Sequence, residues 1–169
     1  MQQQRLLIGV GNTFRSDDGV GRVLAHQIAE MDLPGVDVVE ATGEGAALMD
    51  AWQGYARVYI LDAVSSGAIP GTIYRIEAHR EPVPTGFFHY STHAFSVAEA
   101  IELARSLDLL PERLILYGIE GTCFDHGVTL TPSVEEAGRT VVKQVCVELG
   151  SPRISDEPGD TDARSVSDE

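Results

Sequence analysis

Apolar residues in this chain alternate between short continuous runs and stretches spaced three or four apart, which predicts strands and helices in turn. RLLIGVG (5–11) is nearly unbroken and ends in glycine, as a strand buried on both faces reads. SDDGVGRVLAHQIAEM (16–31) then places Val20, Val23, Leu24, Ile28 and Met31 at helical spacing, with Ser16 or Asp17 available as its cap. Pro34-Gly35 marks a turn, VDVVE (36–40) a second strand and GEGAALMDAW the start of a second helix. ARVYILDAV (56–64) is a third buried strand, and only SSGAIPG separates it from a fourth, TIYRIEA (72–78). A parallel crossover needs about a dozen residues, so the fourth strand is expected to run antiparallel to the third. HREPVPTGFFHYS is long enough to return to the opposite edge of the sheet. A helix over 92–107 carries Val97, Ala98, Ile101 and Ala104 on one face, and RLILYGIEG (113–121) is a fifth strand. The last helix has Thr131 as cap, Pro132 at its first position, Gly150 past its end and a stripe of Val134, Ala137, Val141, Val145 and Leu149.

These elements predict an α/β fold: a three-layer sandwich whose five-stranded twisted sheet is mostly parallel, with one antiparallel strand and helices on both faces. Right-handed crossovers order the parallel strands 2-1-3-5, with the antiparallel strand inserted or at an edge. Residues 1–150 are expected to form one domain. The tail SPRISDEPGDTDARSVSDE (151–169) is acidic and nearly free of large apolar residues, which predicts disorder.

In such sheets ligands bind beyond the carboxyl ends of the strands, at the switch point. Asp18 follows the first strand, Asp62 ends the third, and the long return loop brings His93 to the same edge. Each has a plainer reading. One of Asp17 and Asp18 suits the first turn of a helix, and His93 taken alone reads as a solvated residue at a helix start. Asp62 resists this, because a carboxylate after four apolar strand residues must be paired, liganded or at a pocket rim. If the three converge, two oxygens and one nitrogen suit Zn²⁺, Ni²⁺, Mn²⁺ or Fe²⁺ without choosing among them. Three protein ligands leave a coordination position open, as at a catalytic or transient site. His26 and His79 read as surface residues, and His89 and His126 as loop residues near the site edge.

Other chemistries fit poorly. Gly9 and Gly11 begin a GxGxxG pattern, but Phe14 stands at its third glycine, and Asp17-Asp18 would repel a pyrophosphate. Walker A, GxSxG and HExxH motifs are absent, and Ser65 and Ser66 have no evident base. The net charge of −14, with a single lysine, opposes nucleic acid and anionic membrane surfaces as partners. No window approaches the roughly 18 apolar residues of a membrane span, and MQQQRLLIGV lacks the build of a signal peptide, so a cytoplasmic location is expected. Cys146 falls on an apolar helix face and reads as an inert buried thiol, while Cys123 lies in a loop.

GVGNTFRSDDGVG, ILDAV (60–64), STH (91–93) and GIEGTCFDHGVTLTPSV together resemble the [NiFe]-hydrogenase maturation endopeptidases, in order and spacing, from about residue 5 to 149. The resemblance implies a protease that removes a C-terminal extension from the hydrogenase large-subunit precursor after nickel insertion. It implies Asp18, Asp62 and His93 as the metal-binding and catalytic trio. Nickel would be supplied by the precursor, with other divalent cations fitting the same donors, and a carboxylate-oriented water at or beside the metal would cut the peptide bond. The Gly43–Gly45 and Gly118–Thr122 loops would shape the cleft of a monomer. Two departures stand out: Asp-Asp where some members have Asp-Glu, and EATGEG in place of an Asp-Gly-Gly-Thr type of sequence, which makes Glu40 a secondary candidate. Two competing functions remain at this point: a non-cleaving nickel-recognition scaffold for hydrogenase assembly, and a general metallohydrolase.

Overall fold

The structure, a computed structural model, describes residues 4–87 and 95–150. His89, His93 and the tail from 151 to 169 lie outside the described residues. Five strands, β1 (Arg5–Val10), β2 (Val36–Ala41), β3 (Arg57–Val64), β4 (Ile73–Glu77) and β5 (Arg113–Glu120), form one sheet in the order β2-β1-β3-β5-β4. All neighbours are parallel except β4, which pairs antiparallel with β5. The short β3–β4 link thus reverses the chain as expected, and β4 takes the outer edge beyond β5 rather than a place inside the sheet. The expected three-layer α/β sandwich is the one found.

Strand residues alternate strictly between two apolar layers. Leu7, Tyr59, Leu61, Ile115 and Tyr117 face α1 (Val20–Glu30) and α4 (Pro132–Gly150). Leu6, Ile8, Val58, Ile60 and Leu116 face α2 (Gly45–Trp52) and α3 (Val97–Ser106). The central strands are buried from end to end, which is why they read as unbroken apolar runs. The predicted stripes of α3 and α4 are buried as drawn. In α1, Met31 instead lies half outside, and Gly21 and Ala25 join the packed face. Glu44 receives the Ala46 and Ala47 N–H groups at the start of α2. Ser96 and Glu99 form a capping box on α3, which begins at Val97 rather than near 92.

Two glycines set how close α1 lies to the sheet. A Cβ on Gly9 would stand 2.4 Å from the Ala25 Cβ, and one on Gly21 would stand 2.2 Å from the Leu61 carbonyl oxygen. Backbone is therefore pressed on backbone immediately before Asp62, and the turn that carries Asp18 is pressed with it. No helix among the described residues is long and apolar enough to cross a membrane. Gly21→Ala is expected to cost about 2–3 kcal/mol or more, since the obstructing atoms are main chain and cannot rotate away. Urea denaturation measures this, and an unchanged midpoint would contradict the close approach of α1 to β3.

Candidate active site

β1 delivers the chain to a loop that closes on itself. Gly11 has φ +137°, and a Cβ there would lie 1.9 Å from the Asp18 carbonyl oxygen, so only glycine fits the exit. The Asn12 N–H donates to the Asp18 carboxylate at 3.0 Å, and the Phe14 N–H donates to the Asn12 side-chain oxygen at 2.9 Å. A 3-10 turn, Ser16–Gly19, then carries the two aspartates into α1. Ser16 sits at φ +51°, an uncommon conformation for a residue with a side chain. It is held there by its hydroxyl on the Asp125 carbonyl and its N–H on the Gly127 carbonyl, both at 2.9 Å.

Neither Ser16 nor Asp17 caps α1, contrary to the sequence expectation. Gly19 stands at the cap position with no side-chain bond. Asp17, fully buried, instead accepts from the Thr122 N–H (2.9 Å), the Cys123 N–H (3.0 Å), the Thr131 N–H (2.8 Å) and the Thr131 hydroxyl (2.9 Å). The Thr131 hydroxyl is thereby given to Asp17 ahead of the helix that Thr131 precedes. Gly121 allows the approach, since a Cβ there would meet the Asp17 Cβ at 3.0 Å.

Three carboxylates are buried among the described residues: Asp17, Asp62 and Glu120. Glu120 ends β5 and accepts from the Ser66 N–H (2.9 Å), the Ser66 hydroxyl (2.7 Å) and the Gly67 N–H (3.0 Å), holding the turn that leaves β3. Sequence reasoning passed over it, although the argument applied to Asp62, an acid closing an apolar strand, applies equally to Glu120. Asp62 differs from both. It is 7% exposed, and among the described residues it accepts one hydrogen bond, from its neighbour's Ala63 N–H at 2.8 Å. Asp18 is close enough for its charge to act on Asp62. Burial, then repulsion from Asp18, hold the Asp62 carboxyl well above the ordinary carboxylate range. Burial also raises Asp18, partly offset by its Asn12 hydrogen bond and by the Arg15 charge.

Asp18 and Asp62 are therefore brought together as expected, while His93 lies outside the described residues. Among those residues no group of three His, Cys, Asp or Glu side chains is placed to hold a metal ion. The two acids supply hard oxygen donors and a site for positive charge. Glu40 pairs with Arg22 at 3.6 Å on the β2 side, and His126 is exposed. His79 is half-buried rather than superficial, its Nδ1 accepting the Leu114 N–H at 3.2 Å. Cys146 is half-buried beside Met31 (3.6 Å), with burial raising its thiol pKa, and both cysteines are free. Of the loops expected to shape a cleft, Gly43 takes a left-handed φ of +99° and Gly45 packs on the Phe95 ring. Gly118 belongs to β5 itself, where a Cβ would strike Val64 at 2.4 Å.

Fold and site define an α/β protein with a cation-receptive acid pair at the carboxyl edge of its sheet. The family model described as HycI, hydrogenase maturation protease, matches residues 22–148, and the chain belongs to that family. The hydrogenase expression/formation protein HupD of Thiocapsa roseopersicina is 30% identical over 134 residues, covering 78% of this chain and 61% of that one. A Methanocaldococcus jannaschii protein provisionally named a hydrogenase maturation protease is 28% identical over 150 residues, 86% of this chain and 94% of its own. This chain thus spans about three-fifths of the HupD relative and nearly all of the archaeal one. The hydrogenase maturating endopeptidase HybD from Escherichia coli has the same fold, with a TM-score of 0.72 at 21% identity over 87% of this chain and 92% of that one.

Asp17→Ala is expected to cost roughly 3 kcal/mol or more, because several buried donors lose their acceptor at once, read by the urea midpoint. Asp62 carries the opposite sign. A carboxyl whose folded pKa lies above its ordinary 3.8 binds its proton more tightly when folded, so stability declines as pH rises from there through the folded value. Asp62→Asn removes that decline and is expected to melt higher than wild type at pH 7, by about 2–4 °C per kcal/mol relieved. The gain should fade towards pH 4. Scanning calorimetry at both pH values checks this, and a lower melting point at pH 7 would show that the Asp62 charge is already neutralised.

Proposed function

We propose that this protein is the endopeptidase that removes the C-terminal extension of a [NiFe]-hydrogenase large-subunit precursor once nickel is in place, in the cytoplasm. One observation carries the reading. Among the described residues, Asp17 and Glu120 each accept several hydrogen bonds, while Asp62 accepts one, from Ala63, and is repelled by Asp18. Such a pair is costly until a cation joins it. In this reading the cation is nickel carried by the substrate, and His93 adds the nitrogen donor. A substrate-borne metal brings Lewis acidity to the carbonyl beside it. This chain's own task is to hold two carboxylates at fixed positions, keep them dry enough to favour a cation over water, and orient the peptide. Family membership supports the protease class over a non-cleaving scaffold.

The test uses nickel-loaded and nickel-free precursor with intact-mass readout. Wild type is expected to shorten only the loaded form. Loss of even an outer-shell partner of a metal costs 10–100-fold, so His93→Ala and Asp18→Ala should slow processing by about 100-fold or more, with His93→Ala leaving the melting temperature nearly unchanged. Wild-type rates in His93→Ala would remove it from the site. Equal cleavage of nickel-free precursor would remove nickel from the recognition step.

A further inference from the structure

The loop that holds Asp18 also presents the most exposed aromatic ring among the described residues. Phe14 is 69% exposed, and Val128, on the β5–α4 connection, is 75% exposed. Isolated exposed apolar residues are ordinary, but these two are mounted unusually. They flank one bridge, Arg15 opposite Gly127, with the Gly127 N–H donating to the Phe14 carbonyl and the Ser16 N–H to the Gly127 carbonyl, each at 2.9 Å. Ladder geometry sets them on the order of 10 Å apart or less. The Arg15 guanidinium on the Phe124 carbonyl (3.3 Å), the Ser16 hydroxyl and the four donors to Asp17 stitch the same two loops together beneath them. A hydrogen-bonded platform with apolar side chains turned to water contributes little to folding. It does suit binding, because the entropy of ordering the contact is already lost in the free protein.

We infer that Phe14 and Val128 form the docking anchor for the folded body of the precursor, gripping an apolar patch beside the segment to be cut. This rests on the protease reading above. The occupant follows from continuity: Phe14 lies inside the loop closed by the Asn12–Asp18 hydrogen bond, so a partner presented to Asp18 meets the loop that carries this ring. A second copy of this protein seated there would cover the approach to both aspartates. The net charge of −14 leaves apolar contact as the attraction that a partner of either charge can use.

The experiment titrates nickel-loaded large-subunit precursor from the source organism against full-length protein by biolayer interferometry, with intact mass followed on the same samples. Truncating central aromatic anchors weakens interfaces by about tenfold or more, so Phe14→Ser/Val128→Ser is expected to raise Kd and KM at least tenfold with kcat nearly kept. Phe14→Leu should recover most of the loss, as a purely conformational role for the ring would not allow. Leu107→Ser, which removes an exposed apolar side chain at the end of α3, should change nothing. Unchanged Kd and KM in the double variant, with cleavage intact, would overturn the anchor and leave the protease reading standing. Binding that the double variant loses, without any cleavage by wild type, would do the reverse. A wild-type dimer abolished by the same substitutions, with precursor affinity unchanged, would give the patch to a second copy and overturn the proposal.

Discussion

Asp17 and Asp18 are adjacent in sequence and opposite in fate, and the site exists because of that divergence. The Asp17 carboxylate is drawn inward to Thr122, Cys123 and Thr131, which lie more than a hundred residues later in the chain. Four donors on one buried acid make an anchor that neither loop supplies alone, and charge-assisted bonds of this kind are about twice as strong as neutral ones. Once Asp17 is committed, the tight turn leaves Asp18 only one direction, towards the end of β3. The strain at Ser16 is the local cost of making that turn in so few residues.

The remaining constraint is closeness. Parallel pairing puts the ends of β1 and β3 side by side, with Gly9 opposite Leu61 in register. Gly9 and Gly21 then let α1 descend until its backbone meets the Leu61 carbonyl. A larger residue at either position would lift the helix and widen the gap between the two acids. The acid pair is thus a consequence of glycine packing as much as of acidic residues, since repulsion alone would separate them. On the other side of β3, Glu120 fixes the Ser66–Gly67 turn.

Much of this was legible beforehand, for physical reasons. Strands buried on both faces announce themselves as apolar runs, and helices with one buried stripe by their spacing, so the architecture and the carboxyl-edge placement of Asp18 and Asp62 followed. Edge choice for β4 did not, because a seven-residue reversal is compatible with either neighbour. The roles of Ser16 and Asp17 were misread because capping is local, whereas their partners are distant in the chain. His79 looked superficial because it follows the end of β4, yet it closes the β5 ladder at Leu114. Glu120 was readable in principle: an acid at the end of RLILYGIE demands a partner as much as one at the end of VYILD. What separates them is whether nearby donors face the carboxylate, and that only coordinates supply.

A buried Asp62 repelled by a half-buried Asp18 is a standing cost at neutral pH, and a fold that keeps such a pair must recover it elsewhere. A resident metal would recover it at all times. A metal arriving with the substrate recovers it only while the substrate is docked, which ties the relief of repulsion to the presence of a loaded partner. In that arrangement weak coordination by the chain itself would be an advantage, because tight capture of free cations would blur the distinction between loaded and empty precursor. The apolar anchor and the acid pair then divide the work. On the proposed reading, Phe14 and Val128 would hold any precursor of the right shape, whereas Asp18 and Asp62 would favour only the one that carries positive charge to the right place. Discrimination of this kind arises from a penalty left in place against the wrong partner as well as from contacts made to the right one.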